Sequence, residues 1–226
     1  MQINEAAIID AAIKEIEAPE WGATEQLLKV HKVVYEGDKP KVLRVDMNSN
    51  VEHAIVYFPV VNKRFYFAMY VTKDAQLEAR GLFTLAYHAV YLKVNSRELS
   101  FDELAAMTKL KSTGGWNKGD TIKNLKVPQR WSAFFVESNP EPDEFERKLD
   151  KLLSVLETDI EGLVTLKANA TTWIQVASEM HNGNSMIGGY NLSAPLLKRL
   201  AALEIEIDFD ICAAGNLFKE EDMEGL

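Results

Sequence analysis

The spacing of apolar positions changes character several times along the chain. Ile3, Ala6, Ala7, Ile9, Ala11, Ile13 and Ile16 recur largely at helical intervals, so the first segment reads as a helix stopped by Pro19 and Gly22. Over residues 27–35 the pattern alternates loosely, as a strand does. Gly37-Asp38-Lys39-Pro40 then reads as a hairpin turn, with glycine taking the unusual dihedrals and proline fixing φ. A strand over 41–47, carrying Val42, Leu43 and Val45, ends at a second turn, Asn48-Ser49-Asn50. The runs 54–61 and 64–72 are rich in Val, Ile, Tyr and Phe and are joined tightly at Asn62-Lys63. Their aromatics, Tyr57, Phe58, Phe65, Tyr66, Phe67 and Tyr70, are expected on both sides of the sheet. Residues 1–75 thus predict one domain, a helix on an antiparallel meander of about four strands.

The remainder alternates in type. Residues 75–89 predict a helix with Leu77, Leu82, Leu85 and Ala86 inward, weakened by Gly81. A strand over 90–94 is followed by a helix to about Thr108, with Ser100 as its cap and Glu103 in the capping-box position. The loop 109–130 leads to a strand over 131–137. Past Pro140 and Pro142, Phe145, Leu149, Leu152, Leu153, Leu156, Ile160, Leu163 and Val164 form one apolar stripe on a long helix. A strand over 173–180, a Gly/Asn-rich loop over 181–190, a short helix capped by Ser193 with Pro195 in its first turn, and a strand over 205–213 complete the pattern. The order β-α-β-α-β-α-β over 76–215 predicts a helix-covered sheet and places the whole chain in the α+β class, with residues 216–226 as an acidic tail.

Composition narrows the setting. The 226 residues are 47% hydrophobic, enough for a packed core. The formal charge of −9 argues against a nucleic-acid partner, which needs a basic face. Cys212 is the only cysteine, so no internal disulfide forms, and it is expected to be a small buried residue. The first residues lack the apolar core of a signal peptide and no run reaches the length of a membrane span, so a cytoplasmic protein without a membrane partner is expected.

The charge is unevenly placed. The loop 109–130 sets Lys109, Lys111, Lys118, Lys123, Lys126 and Arg130 against Asp120 alone. Within it, Gly115, Trp116, Lys118 and Asp120 belong to a Gly-Gly-Trp-Asn-Lys-Gly-Asp run. Exposed backbone N–H groups, a point charge and a stacking face there suit an anion or a nucleotide, although the spacing is not that of a P-loop. The same loop also reads as a solvated connection whose Trp packs on the domain. At the other extreme, Glu204, Glu206, Asp208 and Asp210 alternate with Ile205, Ile207, Phe209 and Ile211, which puts four carboxylates on one strand face and four apolar side chains on the other. That face reads either as a water-facing surface or as a partner-binding one, with Glu206, Asp208 and Asp210 as the contact residues. No metal pattern is completed and no cofactor is expected. His31, His53, His88 and His181 stand in unrelated settings without a nucleophile elbow, and His181 looks the most exposed of the four.

The stretch Trp116-Asn117-Lys118-Gly119-Asp120, then Trp131, the long amphipathic helix, Asn191-Leu192-Ser193 opening a short helix, and Asp208-Phe209-Asp210 before Gly215 together resemble the bacterial domain of unknown function family 4279, over about residues 90–215. The family is uncharacterised, so the resemblance carries no catalytic residues. Residues 1–75 are similar to extensions that accompany such domains. Small acidic bacterial proteins of this kind often act as immunity proteins beside toxins.

Three functions of different class are therefore expected to compete. The leading one is a non-enzymatic protein-binding module, most concretely an immunity protein that meets a basic toxin through its carboxylates. The second is a small anionic ligand or nucleotide held by the Gly/Trp/Lys loop. The third is a hydrolase or transferase with a site built across the two halves.

Overall fold

In the computed structural model of the protein, which describes residues 4–122, 125–183 and 188–216, the chain divides into two units. The first takes the chain up to Tyr87 together with Glu179–Gly188 and the residues from Ile211 on. The second takes His88–Ser178 and Gly189–Asp210. The acidic tail beyond Asn216, Lys123 of the basic loop and residues 184–187 of the Gly/Asn-rich loop lie outside the described residues. The class is α+β, with helices laid on antiparallel and mixed sheets.

The first unit opens with α1 (Glu5–Glu17), whose N-terminus is capped by the Asn4 side chain accepting from Ala6 N. Its buried line is Ile8, Ala12 and Ile16, one residue every turn. The first four residues of the strand predicted over 27–35 instead end α2 (Gly22–Val30). Thr-Glu-Gln-Leu-Leu-Lys favours helix, and Leu27 is buried from it, so the loose alternation was the turn-to-turn drift of a short amphipathic helix. The hairpin β1 (Tyr35–Glu36) and β2 (Lys39–Pro40) turns at Gly37, φ +64°, as expected.

The four-stranded antiparallel sheet then runs β3 (Arg44–Asp46), β4 (His53–Pro59), β5 (Tyr66–Thr72) and β6 (Ala79–Leu85), in that spatial order. Its last strand corrects the helix predicted over 75–89. Asp74 accepts from Gln76 N, Leu77 N and Thr72 Oγ1, which closes a turn with Leu77 at φ +51°. The chain emerges reversed, so Leu82 and Phe83 pair with Met69 and Ala68. Phe58, Phe65, Phe67 and Met69 bury on the helix side and Tyr57, Tyr66 and Tyr70 on the other, so the aromatics do occupy both faces.

The second unit is built on a five-stranded sheet. Its elements in chain order are β7 (Tyr87–Ser96), α3 (Phe101–Ala106), β8 (Gly114–Trp116), the small ladder β9 (Thr121–Ile122) with β10 (Val127–Pro128), β11 (Ser132–Glu137), α4 (Phe145–Leu156), α5 (Ile160–Asn169), β12 (Thr171–His181), α6 (Ala194–Ala202) and β13 (Glu206–Ala214). The spatial order β13-β12-β7-β11-β8 makes β13 and β8 the two edges. The Ser100–Glu103 capping box is present, whereas Ser193 sits at the N-cap of α6 without a side-chain cap bond.

The middle of one face of this sheet is apolar: Val90, Leu92 and Val94, Phe134 and Val136, Ile174 and Val176, with Ile207 and Phe209 at the edge. Leu149, Leu152, Leu153 and Leu156 of α4, Leu163 and Leu166 of α5, and Leu196 and Leu200 of α6 close over it. The apolar stripe predicted through residue 164 is interrupted. A 3-10 turn at Glu157–Asp159 separates α4 from α5, and Asp159 caps the new helix at Gly162 N while also accepting from Thr108 Oγ1 and Lys109 N. The extra rotation carries Ile160 and Val164 outward, to 53% and 54% exposure.

At the β8 edge the backbones approach as closely as chemistry permits. A Cβ on Gly115 would collide with the Ala133 carbonyl oxygen and lie 2.6 Å from the Phe101 ring. Gly115→Ala should therefore cost about 1–3 kcal/mol, the range of overpacked sites, read as a lower urea midpoint with an unchanged slope.

Candidate functional site on the outer face of the sheet

Period two dictates what the second face of the five-stranded sheet carries, once the apolar set is committed to the helices. It presents Trp116 from β8, Phe135 from β11, Tyr91, Lys93 and Asn95 from β7, Trp173 and Gln175 from β12, and Glu206, Asp208 and Asp210 from β13. No described helix of this unit packs on that side.

These side chains form a connected row across all five strands. Gln175 Nε2 donates to Asp208 Oδ2 at 3.2 Å and to Asp210 Oδ2 at 3.1 Å, and Trp173 Nε1 donates to Gln175 Oε1 at 3.0 Å. Lys93 Nζ lies 5.0 Å from the centre of the Trp173 ring. Lys93 is directly opposite Phe135 in the ladder, and Phe135 meets Trp116 edge-on at 5.0 Å and Tyr91 at 5.4 Å. The row is acidic at one edge, aromatic and cationic through the middle, and aromatic at the other edge.

The residues singled out from sequence fall at its two ends. Glu206, Asp208 and Asp210 are exposed on β13 as the alternation requires, but Glu204 lies outside the strand at φ +48°. The apolar half of that alternation fails at its end, because Ile211 is 53% exposed where Ile207 and Phe209 pack on the core. Cys212 is exposed, not buried, because period two places it on the same outer face as Glu206, Asp208 and Asp210. At the opposite edge the Trp-Asn-Lys-Gly-Asp run works as a stitch. Trp116 Nε1 donates to Trp131 O, Asn117 Oδ1 accepts from Phe101 N, Lys118 N donates to Ser132 Oγ, and Asp120 Oδ2 accepts from Asn117 N. Gly119 N donates to Gln129 O and Gly114 N to Ser112 Oγ, so these two glycines do not offer their N–H groups to an anion. Lys118 Nζ reaches the carbonyl of Arg97 at 2.9 Å.

Sequence reasoning missed Lys93, Asn95, Trp173 and Gln175. The signal was available in the alternation itself. Tyr91-x-Lys93-x-Asn95 and Trp173-x-Gln175 are the complements of strictly apolar sets at 90, 92, 94 and at 174, 176.

Other titratable groups are buried. His181, expected to be exposed, is 1% exposed, because the backbone at Gly215 closes on its ring and Asn182 N donates to Ala214 O. Its Nδ1 accepts from Gly183 N, which leaves the proton on Nε2 to be donated to His31 Nε2 at 2.9 Å. Burial, then the neighbouring His181 and Lys63, lowers His31 to about 4. In the second unit His88 Nδ1 meets Ser178 Oγ at 2.7 Å among the rings of Phe145 and Tyr190. Burial and the buried Lys148 lower His88 to about 4 as well. Among the described residues no three His, Cys, Asp or Glu side chains are grouped to hold a metal.

Both histidines are neutral in the folded protein down to about pH 4, whereas the unfolded chain takes up their protons near pH 6.5. Stability is therefore constant above that value and falls with acidification from about 6.5 towards 4, each group adding at most about 1.4 kcal/mol per pH unit. Urea midpoints measured from pH 7 to 5, above the carboxylate range, should fall in the wild type. They should fall less steeply in His31→Gln and His88→Gln.

Comparison with known proteins rests on the second unit. No described helix is long and apolar enough to cross a membrane. No curated protein and no solved structure shows a significant match to this chain. Residues 85–214 match the family described as Domain of unknown function (DUF4279), and they contain both edges of the sheet, its helices and the complete row described above. With more than half of its length in that match, the chain belongs to the DUF4279 family.

Proposed function

We propose that the protein is a non-catalytic protein-binding module that receives a basic partner along β13, in the manner of an immunity protein masking a toxin. The observation that carries this reading is the combination found on that strand. β13 is an edge nine residues long, paired only with β12 among the described residues, and one of its faces exposes three carboxylates, Glu206, Asp208 and Asp210, followed by Cys212. An open edge supplies backbone donors and acceptors for an added strand, and alternate side chains supply specificity.

Gln175 makes the acidic face more than a row of free carboxylates. Its single amide nitrogen is shared between Asp208 and Asp210, which holds the two carboxylates at one point on the sheet. One ammonium or guanidinium from a partner can engage both, with little side-chain entropy left to lose. Such charges steer encounter and raise association rates, and the effect fades as salt shortens the screening length to about 8 Å and below.

The test is co-expression with the product of the adjacent gene. A 1:1 complex is expected whose association rate falls at least tenfold between 50 and 500 mM salt. Asp208→Asn with Asp210→Asn should slow association further without lowering the melting temperature of the free protein. Absence of a complex, or a complex indifferent to both salt and these substitutions, contradicts the reading.

A further inference from the structure

The outer face contains a groove that the protein-binding reading does not use. It has a volume of about 360 Å³ and is lined by Asn95, Ser96, Arg97, Trp131, Thr171 and Trp173, all within the second unit. That size lies at the lower end of small-molecule sites, which run from about 300 to 1,000 Å³. A larger cavity in the first unit, about 720 Å³ beside Glu15 and Trp21, carries charges that are already answered. Glu15 accepts from Glu20 N and Trp21 N, Lys14 pairs with Glu20, and Arg80 pairs with Glu78.

In the groove the aromatic walls are fixed and the cations are not answered. Trp173 is pinned through Nε1 to Gln175 Oε1 at 3.0 Å. Trp131 is pinned in the same way: with the Asn95 amide turned as its neighbours require, Trp131 Nε1 donates to Asn95 Oδ1 at 3.2 Å and Asn95 Nδ2 donates to Val94 O. Both indoles have thus spent their polar atoms within the protein. What they offer a ligand is ring surface, held in place before binding.

Three cations stand around the same groove. Arg97 lines it, Lys93 lies over Trp173, and Lys118 rests its Nζ on the Arg97 carbonyl. None of the three makes an ion pair with a carboxylate among the described residues, neither with Glu98 beside Arg97 nor with Glu206 on β13. A neutral or cationic occupant would leave this charge uncompensated, and a purely apolar one would leave the Arg97 guanidinium without an acceptor.

We infer that the groove between Trp131 and Trp173 binds a flat aromatic anion, specifically a nucleoside monophosphate, whose base stacks on the indoles and whose phosphate meets Arg97 with Lys93 and Lys118 nearby. The site is distinct from the Gly/Trp/Lys loop, where the N–H groups of Gly114 and Gly119 are committed to protein acceptors and only Lys118 contributes. It is also independent of β13: no carboxylate of the partner strand lines the groove.

The full-length protein should be titrated with AMP, GMP, CMP and UMP, followed by tryptophan fluorescence and calorimetry, with adenosine and inorganic phosphate as separate probes. At least one monophosphate should bind, with adenosine and phosphate each weaker by tenfold or more. Trp173→Ala should weaken binding roughly 5- to 150-fold, the range of a lost base–aromatic stack. Arg97 is exposed, so Arg97→Gln should leave the melting temperature unchanged while lowering affinity for the monophosphate and not for adenosine. The inference is overturned if none of the four monophosphates binds at millimolar concentration, if adenosine binds as tightly as AMP, or if Arg97→Gln binds like the wild type. Because Arg97 has no bond to the Trp173–Gln175–Asp208/Asp210 chain, complex formation with a protein partner should persist in Arg97→Gln.

Discussion

Burial of Val90, Leu92, Val94, Phe134, Val136, Ile174 and Val176 beneath α4, α5 and α6 decides what the other side of the same sheet presents. A strand has only two faces, so committing one set of alternate residues to the core assigns the complementary set outward. A slip of one residue in β7 would bury Lys93 and expose Leu92, and the same holds for Trp173 and Ile174 in β12. Each buried leucine or valine is worth about 1.5–3 kcal/mol against exposure, and several act together on each strand. The register is therefore fixed by the core, and the row from Asp210 to Trp116 inherits its order from that packing rather than from its own contacts.

The legible parts of the fold were those written in short, local chemistry. The Ser100–Glu103 box needs only four residues, Gly37 marks a turn that only a positive φ satisfies, and the leucines of α4 repeat at one helical period. The parts that misled depended on something distant. Residues 79–85 look helical by spacing but become a strand, because the Asp74 turn delivers them against β5. Ile160 and Val164 continue a stripe on paper, yet Asp159 restarts the helix and rotates them into solvent. His181 and Cys212 exchange places with expectation: the burial of His181 depends on the strand that lies alongside, which local composition does not record, and Cys212 falls on the outer face that it shares with Asp208 and Asp210.

The same division holds for the candidate site. Its ends were visible as an excess of one charge and as a glycine-rich motif with a tryptophan. Its middle was not, because Lys93, Asn95, Trp173 and Gln175 acquire meaning only when β7 and β12 are set side by side. The structure also separates two features that net charge alone would have let cancel. The acidic residues lie on β13 and the motif lies on β8, at opposite edges of one sheet with three strands between them, so each keeps its own field. The motif itself serves first as a stitch joining β8 to the start of α3 and the end of β7, with Trp116 left on the outer face.

The most direct test of the claim that this outer face and its acidic edge are the working surface is hydrogen–deuterium exchange on the free protein and on its mixture with the adjacent gene product. Added protection should concentrate on the amides of β13 over 206–213, with the helices α4 to α6 unchanged. Protection confined to those helices, with β13 exchanging as it does in the free protein, would contradict it.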